Sequence, residues 1–278
     1  MIAADLMLQA SVHLHEAAKR RLRRNVEADA LKIEQRLAAV FLREGMAFVR
    51  LFSRLRDRFP EEEVQETVLG EDEWVRLLQI VQMGLTSGKR SIIGKGIEGA
   101  MLLGGQGLLS EIGLGVRFDL ANPRAVNYLS LHGAELVTRI DETTRDYIRT
   151  VITQGTREGW SYNRMADAIT DRYKEFAIGK PQLHIDSRAH LIAVTETAKA
   201  YEEGSAIVAR DLQDSGLVME KSWLTVGDNR VSDGCRENQS AGWIPLDSAF
   251  PSGDDNPPRF PGCRCTTLYQ RKGEEEVV

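Results

Sequence analysis

From Ala3 to Phe59 the chain has no proline and a single glycine, Gly45, and helix-forming residues dominate. Long helices are therefore predicted. Leu37, Phe41, Phe48, Phe52 and Leu55 recur at steps of four, seven, four and three, which puts them on one stripe of a helix, while Arg36, Arg43, Arg50 and Arg54 fall elsewhere. A stripe of that kind needs a partner helix. Pro60 ends the pattern, and Glu61, Glu62 and Glu63 suit the first turn of a following helix, where the macrodipole favours negative charge.

Between Gly84 and Gly115 glycine becomes dense and the periodic signal fades, so a hinge is predicted there. Asn122 and Pro123 then form a plausible cap and first-turn proline. Helical patterns resume over Ala125–Gln154, Ser161–Phe176 (with Ser161 as N-cap) and Ser187–Leu212. Beyond Gly216 the chain changes to short segments rich in Trp, Gly, Pro, Asp and Ser. Leu217–Thr225 and Arg264–Tyr269 read as strands joined by a long, turn-rich connection. The predicted fold class is α+β and mainly α-helical, with a small C-terminal β-containing module that bears the cysteines. The expected division is a helical arm over 1–83, a glycine-rich hinge over 84–117, a helical domain over 118–215, a β-rich module over 216–270 and an acidic tail over 271–278.

A length of 278 residues, with 42% hydrophobic and 28% charged, gives enough apolar surface for real cores without disulfides. The net charge of −5 removes any global attraction for a phosphate backbone. DNA contact would have to come from a local patch, and Lys19, Arg20, Arg21, Arg23 and Arg24 form the candidate, though the bland reading is a solvated helix face. Gly99 to Val116 approaches the length of a membrane span, but Gln106, Ser110 and Glu111 interrupt it, so a flexible apolar segment packing on a partner is expected in place of membrane contact. The N-terminus lacks the basic and apolar regions of a secretory signal, which predicts a chain that stays in the compartment where it is made.

Two phosphate-binding patterns fail on context. GKGIEG at Gly94–Gly99 lacks the buried strand that a dinucleotide fingerprint requires, and GLTSGKRS at Gly84–Ser91 has the wrong glycine spacing for a phosphate loop. Glu196, in an apolar helical stretch, is a candidate general base. No nucleophile, second carboxylate or histidine in a nearby motif accompanies it, Lys199 is its i+3 neighbour and Arg188 lies two turns upstream, so a structural ion pair or hydrogen-bonded anchor is the preferred reading.

The three cysteines are Cys235, Cys263 and Cys265. In a strand, Cys263 and Cys265 project from one face while Arg264 points away, so two thiolates could converge on a metal with Cys235 as a third. A closed zinc site takes four ligands, and the fourth would have to be Asp228, Asp233 or water. The expectation is no cofactor, with zinc as the alternative, and three buried thiols or one disulfide in its place.

Taken in order, FDLANPRAVNYL, the EGWS turn at Glu158–Ser161, RAHLIAVTETAKAYEEG, WLTVGDNRVSDGC and PPRFPGCRC resemble the phage Mu F-like minor head proteins of tailed phages, the phage head morphogenesis family. The resemblance runs from about Phe118 to Tyr269. By the family pattern Arg188, Thr195 and Glu196 match the helix motif, and Trp223, Thr225, Asp228 and Arg230 match the strand and turn before the cysteines. Gly242, Asp247, Phe250, Pro257 and Pro258 match the connection that leads to Cys263, Arg264 and Cys265. Relatives usually have a cysteine pair and a histidine where this chain has Ser232 and Phe260. Phe260 is accordingly expected to fill that space by packing, giving a dry, apolar knuckle.

The resemblance implies a structural, non-enzymatic minor capsid protein that associates with the portal vertex and supports head morphogenesis, DNA packaging or DNA ejection. Portal protein and major capsid protein are the implied partners, and packaged DNA is a further one through the basic patch. The implied location is host cytoplasm during assembly and then the virion head. The competing readings are an enzyme of nucleotide-transferase or toxin type built on the same module, or a DNA-binding head protein.

Overall fold

A computed structural model describes residues 24, 26–47, 49–50, 54, 71–158, 160, 162–178 and 188–272. The described residues are mainly helical and include one small sheet. Helix α1 covers 26–47, α2 Glu71–Glu111, α3 Pro123–Arg157, α4 Tyr162–Ile178 and α5 Arg188–Asp214. Strand β1 (Met219–Leu224), helix α6 (Asp233–Ser240), strand β2 (Ile244–Pro245) and strand β3 (Thr266–Arg271) follow. The residues fall into two compact units. One is drawn from Met1–Leu31, Lys95–Leu129 and Ile192–Val278, the other from Lys32–Gly94 and Ser130–Leu191.

The second unit shows why the stripe on α1 folds inward. Leu37 and Phe41 are buried while Arg36, Arg43, Arg50 and Arg54 are exposed, as amphipathic spacing requires. Phe48, Phe52, Leu55, Pro60 and Glu61–Glu63 lie outside the residues whose side chains are described. The partner helices come from the same chain. Gly45 meets Tyr173 of α4, where an added Cβ would stand 2.9 Å from the tyrosine Cβ. The fully buried Lys89 of α2 pairs with Glu44 of α1 and, at 2.6 Å, with Asp141 of α3. Thr86 donates to the second oxygen of Asp141 at 2.9 Å, and Gln82 donates to its backbone carbonyl at 3.0 Å. A buried cation is tolerable only with such partners.

The glycine-dense stretch differs from the expected hinge, because α2 is a continuous helix of 41 residues through Gly84, Gly88, Gly94 and Gly99 as far as Glu111. Propensity is overridden by burial. Ile93, Ile97, Ala100, Met101, Leu108 and Leu109 are buried along it, and packing outweighs roughly 1 kcal/mol per glycine of lost propensity. Much of the apolar segment from Gly99 to Leu109 is thus buried, while Leu102, Leu114 and Val116 are exposed; among the described residues no helix is long and apolar enough to cross a membrane. GKGIEG and GLTSGKRS are both inside α2, each directly preceded by helix.

In the first unit α2 crosses α5 at two glycines. A Cβ on Gly104 would collide with the Tyr201 carbonyl, and one on Gly204 with the Met101 carbonyl at 2.2 Å. Both helices end where a glycine takes positive φ. Leu114 donates to Leu109 after Gly113 (φ 71°), and Leu217 donates to Leu212 after Gly216 (φ 95°), each closing a Schellman turn. Helix α3 begins as expected, with the Arg124 amide donating to Asn122 Oδ1 at 2.9 Å and Pro123 in the first turn.

The sheet has the order β2–β1–β3, all antiparallel, with Trp223 opposite Thr267 and Lys221 opposite Tyr269 and Ile244. The predicted turn-rich connection contains two elements the sequence reading lacked, α6 and β2. Strand β3 starts two residues later than predicted, so Cys263 and Cys265 lie in the extended segment just before it.

Candidate functional site

The C-terminal module is built around Trp223, Val231, Cys235, Phe250, Cys263 and Cys265, all buried. Trp223 and Phe250 meet edge to face with centroids 5.1 Å apart and planes at 80°. Helix α6 delivers Cys235. Its N-cap is Ser232, whose Oγ accepts from the Cys235 amide at 3.3 Å, and Asp233 sits in the first turn beside the dipole's positive end. Ser232 thus serves as a cap. The other two thiols arrive along the segment that enters β3. The Gly262 amide donates to Thr195 Oγ1 of α5 at 3.0 Å, anchoring the turn just ahead of Cys263.

The three sulphurs lie within 4.8 Å of one another, and Cys235 Sγ and Cys263 Sγ are 3.9 Å apart. All three cysteines are unbridged. Their protonation is uneven. Cys263 is pulled below the usual thiol range by the hydrogen bond from Cys265, with further help from the amides of Cys265 and Arg259. Cys265 is pushed far up because it donates to Cys263 and is buried, and burial also raises Cys235. The indole N–H of Trp223 is buried without a completed hydrogen bond, and it draws the Cys265 thiol's pKa down from nearby.

Neither aspartate considered as a fourth ligand joins the cluster. Asp228 pairs with Arg264 at 2.7 Å and accepts from the Arg230 amide at 3.0 Å, while Asp233 pairs with Arg236 at 2.5 Å. Arg264 points away from the thiols, as alternation along an extended segment requires. Phe260 corrects the expectation of a packed substitute for histidine. It is 38% exposed, because its backbone carbonyl accepts the Cys263 amide at 3.0 Å in a surface turn, and Trp223 and Phe250 fill the interior. Pro258 follows a cis Pro257–Pro258 bond, with Pro257 buried and Pro258 half-buried.

On α5, Glu196 pairs with Lys199 at 3.3 Å. The side chain of Arg188 lies outside the described residues, as do Lys19, Arg20, Arg21, Arg23 and Ser161; Arg24 is exposed. Sequence reasoning missed two polar anchors. Glu202, buried on α5, accepts from the Thr267 amide at 2.9 Å and from the Thr266 hydroxyl, tying β3 to the helix. Its spacing of seven from Thr195 and from Ala209 on the inner face was the available signal. Asn238, fully buried on α6, holds Ser252 through two hydrogen bonds of 2.8 and 3.0 Å. No periodic signal marks a helix of only eight residues.

No curated protein and no solved structure matches the chain. A family model does match, over residues 146–268, from late α3 through the sulphur cluster into β3. The anchors just described, Thr195, Glu202, Trp223, Asn238 and the three cysteines, all fall inside that span, and residues 146–268 are thus similar to the phage Mu protein F like family.

Proposed function

We propose that the chain is a structural minor head protein of a tailed phage, a minor capsid component that docks at the portal vertex and supports head morphogenesis, DNA packaging or DNA ejection. The match of residues 146–268 to a phage Mu protein F like domain carries this reading. Two features support it. Large apolar side chains remain exposed on the helices of the second unit, with Ile80 61%, Met83 70% and Leu131 64% exposed, as expected of a subunit that is covered on assembly. Glu196, the carboxylate best suited to catalysis by sequence, is engaged by Lys199, which favours a structural role over a nucleotide-transferase or toxin activity.

The test is the composition of heads made by the parent phage. Mass spectrometry of purified heads should find the chain in few copies, and heads assembled without portal protein should lack it. Its presence at normal yield in portal-less heads would remove the portal assignment, and its absence from all heads would remove the head assignment.

A further inference from the structure

We propose that Cys235, Cys263 and Cys265 bind one soft, thiophilic cation, zinc being the commonest of that class, as three thiolates with a fourth coordination position open to an external donor. The inference rests on the thiol geometry and stands apart from the head-protein reading. With metal–sulphur bonds of about 2.3 Å, ligand sulphurs sit roughly 3.8 Å apart in a tetrahedron and about 4.0 Å apart in a trigonal plane. The Cys235–Cys263 separation of 3.9 Å falls in that window, and the third sulphur closes the triangle within 4.8 Å. A disulfide would need about 2.05 Å and would leave the third thiol idle.

Two further observations point the same way. All three thiols are buried and unbridged, so each sulphur is available as a ligand inside the module. The buried Trp223 N–H beside Cys265 lacks a completed hydrogen bond, and a thiolate there would supply a strong acceptor. The ligands also come from two separate parts of the module. Cys235 is in the first turn of α6 and the other two precede β3, so one ion would staple together segments that few backbone hydrogen bonds connect. Three protein ligands fall one short of a closed structural zinc site, which takes four. Thiolates alone suit ions that accept three sulphurs, or zinc with an exogenous fourth donor.

The full chain, reduced and stripped with a chelator, is titrated with cobalt(II) under anaerobic conditions. The expected result is one equivalent bound with intense sulphur-to-metal charge-transfer bands, bleached on adding one equivalent of zinc, and a higher thermal midpoint with zinc than without. Cys263→Ser should weaken binding at least tenfold. Since that variant could misfold, X-ray absorption of the zinc-loaded wild-type chain provides a second reading, with three sulphur neighbours and one lighter atom expected. Cobalt spectra showing only oxygen or nitrogen ligation, unchanged affinity in a folded Cys263→Ser chain, or no binding to the reduced wild-type chain would each overturn the proposal.

Discussion

The backbone carbonyl of Tyr201 on α5 lies 1.9 Å from the place a Cβ would take on Gly104 of α2. Glycine is thus required there by contact with another helix, whereas Gly84 and Gly94 in the same helix face nothing within 4 Å. Gly104→Ala must push the two backbones apart and should destabilise the chain by about 1–3 kcal/mol. Gly94→Ala should stabilise it by roughly 0.5–1 kcal/mol through improved helix propensity. Opposite signs in urea denaturation are the expected outcome; equal effects would show that the crossing is not as close as described.

Lys89 joins three helices of one unit through Glu44 and Asp141. Replacing it with methionine leaves two buried carboxylates without their cation, so Lys89→Met should lose about 3–5 kcal/mol. Adding Glu44→Leu and Asp141→Leu should recover most of that loss, because a matched apolar set needs no charge compensation. Denaturant midpoints of the single and triple variants decide it. A triple variant no more stable than the single would mean that the ion network itself, and not charge balance, holds the helices.

The two phenylalanines of the cysteine module should behave differently. Phe250 is buried against Trp223, and Phe250→Ala should cost about 3–5 kcal/mol through the cavity it opens. Phe260, at the surface turn, should tolerate alanine with a loss of under roughly 1 kcal/mol. Thermal unfolding followed by the fluorescence of Trp223, in a chain whose other three tryptophans are replaced by phenylalanine, provides the check. A large loss at Phe260 would restore it as a core residue.

Arg264 hydrogen-bonds Asp228 and holds its carboxyl below the usual aspartate range. The folded chain then binds that proton less readily than the unfolded chain, so the pair's contribution is present above the unfolded pKa of about 3.9 and is lost as pH falls through the lower folded value. Asp228→Asn should therefore flatten the acid limb of stability while leaving the Cys235 cluster intact. Denaturant midpoints measured from neutral pH down to roughly pH 3 provide the check. An unchanged acid slope would show that the pair is not formed in solution. The side chains are partly exposed, and a small effect is expected.

Period and composition were enough to place α3, α4 and α5 within a few residues, the caps at Asn122 and the strands β1 and β3, because each depends on local preferences that repeat along the chain. They were also enough to single out the three cysteines and to set Arg264 on the opposite side. The glycines of α2 misled the local reading. Their helical state is decided by Ile93, Ile97 and Met101 packing into cores and by the approach of Tyr201 to Gly104, contacts made with residues about a hundred positions away.

Separation along the chain also explains the anchors that were missed. Glu202 and Thr267, Thr195 and Gly262, and Lys89 and Glu44 are brought together only by folding, and nothing in the neighbourhood of either partner announces the other. Sequence determined which residue types were available to the module and placed the strongly periodic segments, α3 to α5 with β1 and β3, since those follow from side-chain size, polarity and spacing. Tertiary structure alone decided that three sulphurs separated by as many as thirty positions converge within 4.8 Å, because convergence depends on where α6 is capped and where α5 anchors the turn before β3.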